Sequence, residues 1–257
     1  VGWRSYRDQW LSEGFAEYSG MMYTAKRYKA SAARELIEEA RLSLKQPPRV
    51  ANGTIRSGTV TDIGPLILGH RLSTAESLNA YQDLIYDKGA LVLRMLHFLY
   101  SNLSTGDDVA FFDMMKDFVN RNRNSSATTE SFVDVANEHF VRTPIAQQFG
   151  LTDLNWFFDQ WVWQTAMPTY RLEYRLENQP GGKVLLNGTL FQEGTPADWI
   201  MPVPVVLGFG GGKTAHVVLL AKGTKQPVAL TLPLRPDSVD LDPELWVLSD
   251  KTSVKKQ

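Results

Sequence analysis

The 257-residue sequence predicts an α+β protein, with a mainly helical part over residues 1–169 and a small antiparallel β-sandwich over 170–257. Two observations carry that expectation. Up to Pro168, apolar residues recur at steps of three and four through long stretches, the spacing of one helix face. Past Pro168 the pattern becomes short alternating or β-branched runs separated by turn residues. Composition agrees with a globular protein, 43% hydrophobic and 21% charged. A formal charge of -1 leaves no basic surplus for neutralising phosphates, which argues against nucleic-acid binding as the main role. The absence of cysteine excludes disulfides, thiolate metal ligands and thiol nucleophiles. No apolar run approaches the roughly 20 residues of a membrane-spanning helix.

The elements follow in order. "YRDQWLSEGFAEYSG" (Tyr6–Gly20) reads as an amphipathic helix with Leu11, Phe15, Tyr18 and Met22 on one side. "SAARELIEEARLSLKQ" (Ser31–Gln46) puts Leu36, Ile37, Ala40 and Leu44 on one side, against alternating charge. Pro47–Gly69, with three prolines, four glycines and no helical period, is expected to be a long loop. Leu78–Tyr100 predicts a strong helix broken near Tyr86–Gly89, and "GDDVAFFDMMKDFVNRN" and "TTESFVDVANEHF" predict two more. Asp153–Pro168 is expected to be a last, aromatic-rich helix whose Trp156, Trp161 and Trp163 serve packing. "YRLEYRLE", "KVLLNGTLFQ", "PVPVVLGF", "TAHVVLLA", "QPVALTLP" and "LWVL" then predict strands, and the closing "KTSVKKQ" a solvated basic tail.

Several motifs invite a function and do not support it. "GFGGGKT" (Gly208–Thr214) is one residue short of a phosphate-binding loop and leads into strand-like sequence, so it reads as a hairpin turn. The sequons at Asn52, Asn102, Asn124 and Asn187 say little without a secretory signal. His70, His97, His139 and His216 are far apart, with no pair at metal-ligand spacing and no Ser-His-Asp arrangement. His97 reads as a packed helix residue and His216 as a strand residue.

Glu13 is different. Alone it is a carboxylate at a helix start, where the macrodipole favours it. Together, however, "WLSEGFAEY" and the "YDKG" of Tyr86–Gly89 form a specific pair. They resemble the membrane alanyl aminopeptidase family of zinc metallopeptidases, the gluzincins. Trp10, Leu11, Glu13, Gly14, Phe15 and Ala16 match that family's "W-L-N-E-G-F-A" segment, with Ser12 where Asn is common; Tyr86, Lys88 and Gly89 match its "Y-x-K-G". The likeness continues through "GALVLRMLHFL", "FFDQWVWQTAMPTY" and "MPVPVVL", over essentially the whole chain.

The resemblance implies the C-terminal, mainly helical half of a thermolysin-like catalytic domain followed by a β-sandwich. It implies Glu13 as a zinc ligand and Tyr86 as the donor that stabilises the transition state, with peptides as substrates and one zinc ion as cofactor. Tyr81, five residues before Tyr86, is expected to line the same pocket. Glu17 shares Glu13's helix face, either supporting that ligand or as a surface residue. Lys88 reads as a structural or rim charge, and Gly14 as a place where a neighbouring helix comes close. The family's H-E-x-x-H helix, source of two His ligands and a general base, is absent from the sequence. The opening at Val1 within an apparently structured segment leads to the expectation of a fragment. Its partner is then the N-terminal remainder of the same protein, and by itself it is a poor zinc binder and inactive. The alternatives within the same resemblance are a non-catalytic scaffold and the family's epoxide-hydrolase branch.

Overall fold

The computed structural model describes residues 2–257. It divides into two compact units, Val1–Ser101 with Asp107–Ala166, and Met167–Gln257 with Asn102–Gly106.

The first unit is helical. α1 (Gln9–Arg27) buries Trp10, Leu11, Gly14, Tyr18 and Met21. That stripe is rotated slightly from the expected one: Met21 is inside rather than Met22, and a glycine occupies its centre. α2 (Ala30–Ser43) buries Ala33, Ile37 and Ala40 and keeps the Arg34–Glu38 pair outside. α3 (Gly89–Tyr100) is buried all round apart from Arg94, the pattern of a core helix. α1 packs against α2, against α3 and against the π-helical segment Gln82–Lys88 that runs directly into α3. The expected break near Tyr86–Gly89 is therefore a change of helical register and not an interruption.

Around this centre stand α4 (Val109–Arg121), α5 (Thr129–Phe140), α6 (Pro144–Phe149) and α7 (Asn155–Trp161). Side-chain caps open two of them: Thr128 accepts from the Ser131 amide and Thr143 from the Ala146 amide. β1 (Gly2–Trp3) pairs in parallel with β2 (Ser126–Ala127). Buried Asp8 fastens the start of α1 to the start of α5. Its Oδ1 accepts from the Thr129 amide at 2.7 Å and its hydroxyl at 3.0 Å, while Oδ2 accepts from the Ser5 amide at 3.0 Å. Phe132 of α5 meets Trp10, Phe15, Phe118 and Phe158 edge-on, closing the core. His97 is packed, as its sequence context suggests. It stacks on Phe111 at 4.1 Å, with Nδ1 2.6 Å from the Tyr18 hydroxyl and Nε2 3.2 Å from Asp108, and burial pushes its pKa down to about 4.

Two expectations for this unit need correction. The 47–69 loop holds short 3-10 turns at Val60–Ile63 and Leu66–Leu72. The aromatic helix ends at Trp161, well short of Pro168. Phe157, Phe158 and Trp161 are buried within this short helix, while Trp163 beyond it is part-exposed.

The second unit holds a four-stranded and a three-stranded sheet. In the first, β3 (Thr169–Asn178) lies between antiparallel β4 (Val184–Glu193) and parallel β9 (Lys251–Lys256), with β7 (Lys225–Leu232) outside β4. In the second, β5 (Ile200–Gly208) is central, between β6 (Thr214–Lys222) and short β8 (Ser238–Leu241). β3 alternates as read from its sequence, with Tyr170, Leu172 and Tyr174 inward and Arg171, Glu173 and Arg175 outward. Pro202 and Pro204 are tolerated in central β5 because β8 pairs only with Val205–Gly208, beyond both. "LWVL" is not a strand. Asp242 and Leu245 take positive φ (48° and 58°), and the Asp242 carboxylate accepts from the Trp246 and Val247 amides at 2.8 and 2.9 Å, folding the segment into a turn. The supposed basic tail is β9, paired with β3 from Thr169↔Lys251 to Tyr174↔Lys256.

Candidate active site

The two motifs meet through their glycines. Gly14 of α1 and Gly89 at the start of α3 cross so closely that a Cβ on Gly14 would lie 2.8 Å from the Gly89 carbonyl carbon and 3.0 Å from its Cα. Any side chain there would hold the two helices apart. Gly14 is thus what the sequence suggested, a point of close approach, and the neighbour is the "YDKG" segment itself. One residue back from Gly14 and three back from Gly89 come Glu13 and Tyr86, which the crossing sets side by side.

Both are partly buried. Burial raises the Tyr86 pKa first; the neighbouring Glu13 carboxylate adds to it, with smaller contributions from Tyr81 and Glu17. Tyr86 is thereby held as a protonated donor. Ser12 Oγ lies 3.0 Å from Glu13 Oε1 and 3.0 Å from the Gln9 carbonyl oxygen, so the serine in the usual asparagine position also touches the carboxylate. Tyr81 belongs to the same cluster: its ring meets that of Tyr86 edge-on, 6.0 Å between centroids, and burial and the Glu13 charge raise its pKa. Glu17, one turn beyond Glu13, is near enough for its charge to act on Tyr86 and Asp87.

Helical register explains the tyrosine pair. In an α-helix, residues five apart point about 140° from each other. The i→i+5 bonding of the π-helical segment Gln82–Lys88 widens the turn and swings Tyr81 and Tyr86 onto one side. Periodic reading of the sequence has no marker for such a segment, and the five-residue tyrosine spacing is its one trace.

Other parts of the site were not foreseen. Asp87 accepts from Ser43 Oγ of α2 at 2.5 Å. Burial pushes its pKa up to about 6, against the pull of that hydrogen bond and helped by Asp83, Glu17 and Glu39. Of the two readings of Lys88 the rim charge is excluded and the structural one remains: it is 1% exposed, and its Nζ donates to the Gln164 carbonyl oxygen at 3.1 Å. A groove of ≈ 310 Å³ lined by Trp3, Leu11, Ser12, Phe15, Phe118 and Val119 runs along α1; it adjoins the cluster through Ser12, and neither Glu13 nor Tyr86 lines it.

Zinc in a catalytic site takes three protein ligands and one open position. Among the described residues no three His, Cys, Asp or Glu side chains converge in a way that could hold a metal ion. Glu13 offers one carboxylate of the right chemistry, next to a phenol, so these residues fit part of a zinc site and do not by themselves satisfy the ion.

Comparison with known proteins bears on the fold and the family. Among solved structures, aminopeptidase A of Legionella pneumophila, crystallised in complex with aspartic acid, is similar at TM-score 0.62 and 15% sequence identity. The match covers 97% of the present chain and 24% of that protein, so the chain spans about a quarter of its length. No curated protein matches the chain in sequence. The Peptidase family M1 domain model matches residues 1–161, the stretch that carries both motifs and their crossing. A match over more than half the sequence, with the glutamate and tyrosine motifs packed against each other, shows that the chain belongs to peptidase family M1.

Proposed function

We propose that this chain supplies the glutamate-and-tyrosine half of the active site of a zinc-dependent aminopeptidase that removes N-terminal residues from peptides. The observation that carries the reading is the Gly14–Gly89 crossing, which sets the Glu13 carboxylate beside the Tyr86 hydroxyl. A non-catalytic scaffold has no use for a carboxylate and a phenol held together at the expense of helix-stabilising side chains at both glycines.

In this reading Glu13 is one zinc ligand, its charge offsetting part of the cation's, and two histidines come from residues outside these 257. A zinc ion, when bound, supplies Lewis acidity and a water acidified to near neutrality. The Tyr86 hydroxyl donates to the oxyanion that forms when water adds to the scissile carbonyl. A donor of this kind contributes about 3–4 kcal/mol in the transition state. Its raised pKa keeps the proton in place through neutral and mildly alkaline pH. Tyr81 lines the substrate side of Tyr86, and Glu17 adds negative charge along the same face of α1.

The test is zinc content and hydrolysis of aminoacyl chromogenic substrates, measured on this chain alone and on a protein that joins it to an H-E-x-x-H segment. The joined protein is expected to hold one zinc and turn over, with Tyr86→Phe lowering its kcat by about 10²–10³. The chain alone is expected to do neither. Turnover by the chain alone at a comparable rate would show that the site is divided wrongly here.

A further inference from the structure

Lys88 is the buried charge that the chemistry above leaves unused. It lies in the last residue of the π-helical segment, 1% exposed, and burial alone pushes its pKa down to about 8. Its one hydrogen bond goes to the backbone carbonyl of Gln164, and among the described residues no carboxylate pairs with it. A buried ammonium with a single neutral partner is a costly way to fill space, and a methionine of similar length would occupy the same volume without desolvating a charge. Gln164, whose carbonyl receives that bond, is an exposed residue. Stability therefore does not account for the lysine.

A directed donor fixes orientation, which an apolar side chain does not. Residues two apart on a helix point to roughly opposite sides, so Lys88 reaches away from α1 while Tyr86 reaches toward Glu13. Gly89, the next residue, rests against Gly14 with no side chain to resist rotation. The segment between is in the rarer and looser π register, which a small twist would return toward α. Such a twist would carry Tyr86 off the face it shares with Tyr81. We propose that Lys88 is a positioning residue: its hydrogen bond to the Gln164 carbonyl locks the rotation of the π-helical segment and so aims the Tyr86 hydroxyl at Glu13. The catalytic value of that aim rests on the function proposed above. The lock itself does not, and it is tested without turnover.

The experiment compares the 257-residue chain with its Lys88→Met variant, both carrying ring-labelled tyrosine. It reads the nuclear Overhauser cross-peak between the Tyr81 and Tyr86 rings, together with the thermal melt. The expected result is a clear cross-peak in the parent, lost or weakened several-fold in the variant, at an unchanged or higher melting temperature. A cross-peak of parental intensity in Lys88→Met overturns the proposal, as does its absence from the parent. A variant that fails to fold, or melts well below the parent, also overturns it, because the lysine is then a brace for the fold and not a device for aiming Tyr86. No outcome depends on zinc or substrate, so failure of the aminopeptidase reading would leave this result standing.

Discussion

At Asp87, one residue past Tyr86, the carboxyl is wedged between α1 and α2 with a single donor, Ser43 Oγ, and three acidic neighbours, Asp83, Glu17 and Glu39. Its pKa of about 6 in the folded chain exceeds the ordinary carboxylate value near 3.8. A raised carboxyl pKa means that the contribution to stability is complete below about pH 4 and is lost as pH climbs through 6. The full gap would amount to about 3 kcal/mol, and solvent screening of a side chain still partly open to water brings it to about 1–2 kcal/mol. Asp87→Asn keeps an acceptor for Ser43 and removes the titration. It is expected to raise the melting temperature by about 2–6 °C at pH 8 and to change it little at pH 4. Circular-dichroism melts of parent and variant at the two pH values check this, and an equal gain at both would show that Asp87 does not titrate in this range. Glu13 and Tyr86 could be singled out in the sequence because each sits in a distinctive local motif. Asp87's surroundings were not, because Ser43 and Glu39 lie more than forty residues away along the chain and reach it only once α2 has packed.

Two glycines in α1 test how elements set the site. Gly20 has open space around its missing Cβ, and Gly14 has the Gly89 backbone. Helix propensity alone favours alanine at either position by about 1 kcal/mol. Gly20→Ala is therefore expected to stabilise the chain by about that much. At Gly14 the same gain is outweighed by the overlap with Gly89, and Gly14→Ala is expected to destabilise by about 1–3 kcal/mol as α1 and α3 are pushed apart. Urea midpoints for the two variants decide the matter; if both shift in the same direction, the helices are not in contact where the structure has them. The crossing could be anticipated from a glycine inside an otherwise apolar stripe. The π register could not, since apolar residues spaced for an α-helix look the same whether or not one turn is widened. The choice between a structural and a rim role for Lys88 was open for the same reason: only the register that turns it inward decides for the buried one.

Across the whole chain, the order of helices and then strands was legible because periodicity changes near Pro168, and the errors fall where pairing or backbone geometry is non-local. "LWVL" has the composition of a strand, yet the positive φ of Asp242 and Leu245 and the Asp242 carboxylate turn it into a loop. "KTSVKKQ" has three lysines and no apolar alternation, yet it becomes β9, because β3, some eighty residues earlier, offers it an unpaired edge. The second unit thus closes its larger sheet by laying its last strand on its first. An edge strand carrying Lys251, Lys255 and Lys256 resists pairing with other chains, whereas the edge it covers, Thr169–Tyr174, has buried Tyr170, Leu172 and Tyr174 alternating along it. Removing residues 251–257 would leave that edge open. The truncated chain is expected to melt about 5 °C or more below the parent and to associate with rising concentration. Replacing Lys255 and Lys256 with alanine, which keeps the backbone pairing, is expected to change the melting temperature by less than about 2 °C. Melting curves with light scattering over a concentration series distinguish the two. A truncated chain that stays monomeric and melts with the parent would mean that the segment is the solvated tail its composition suggests.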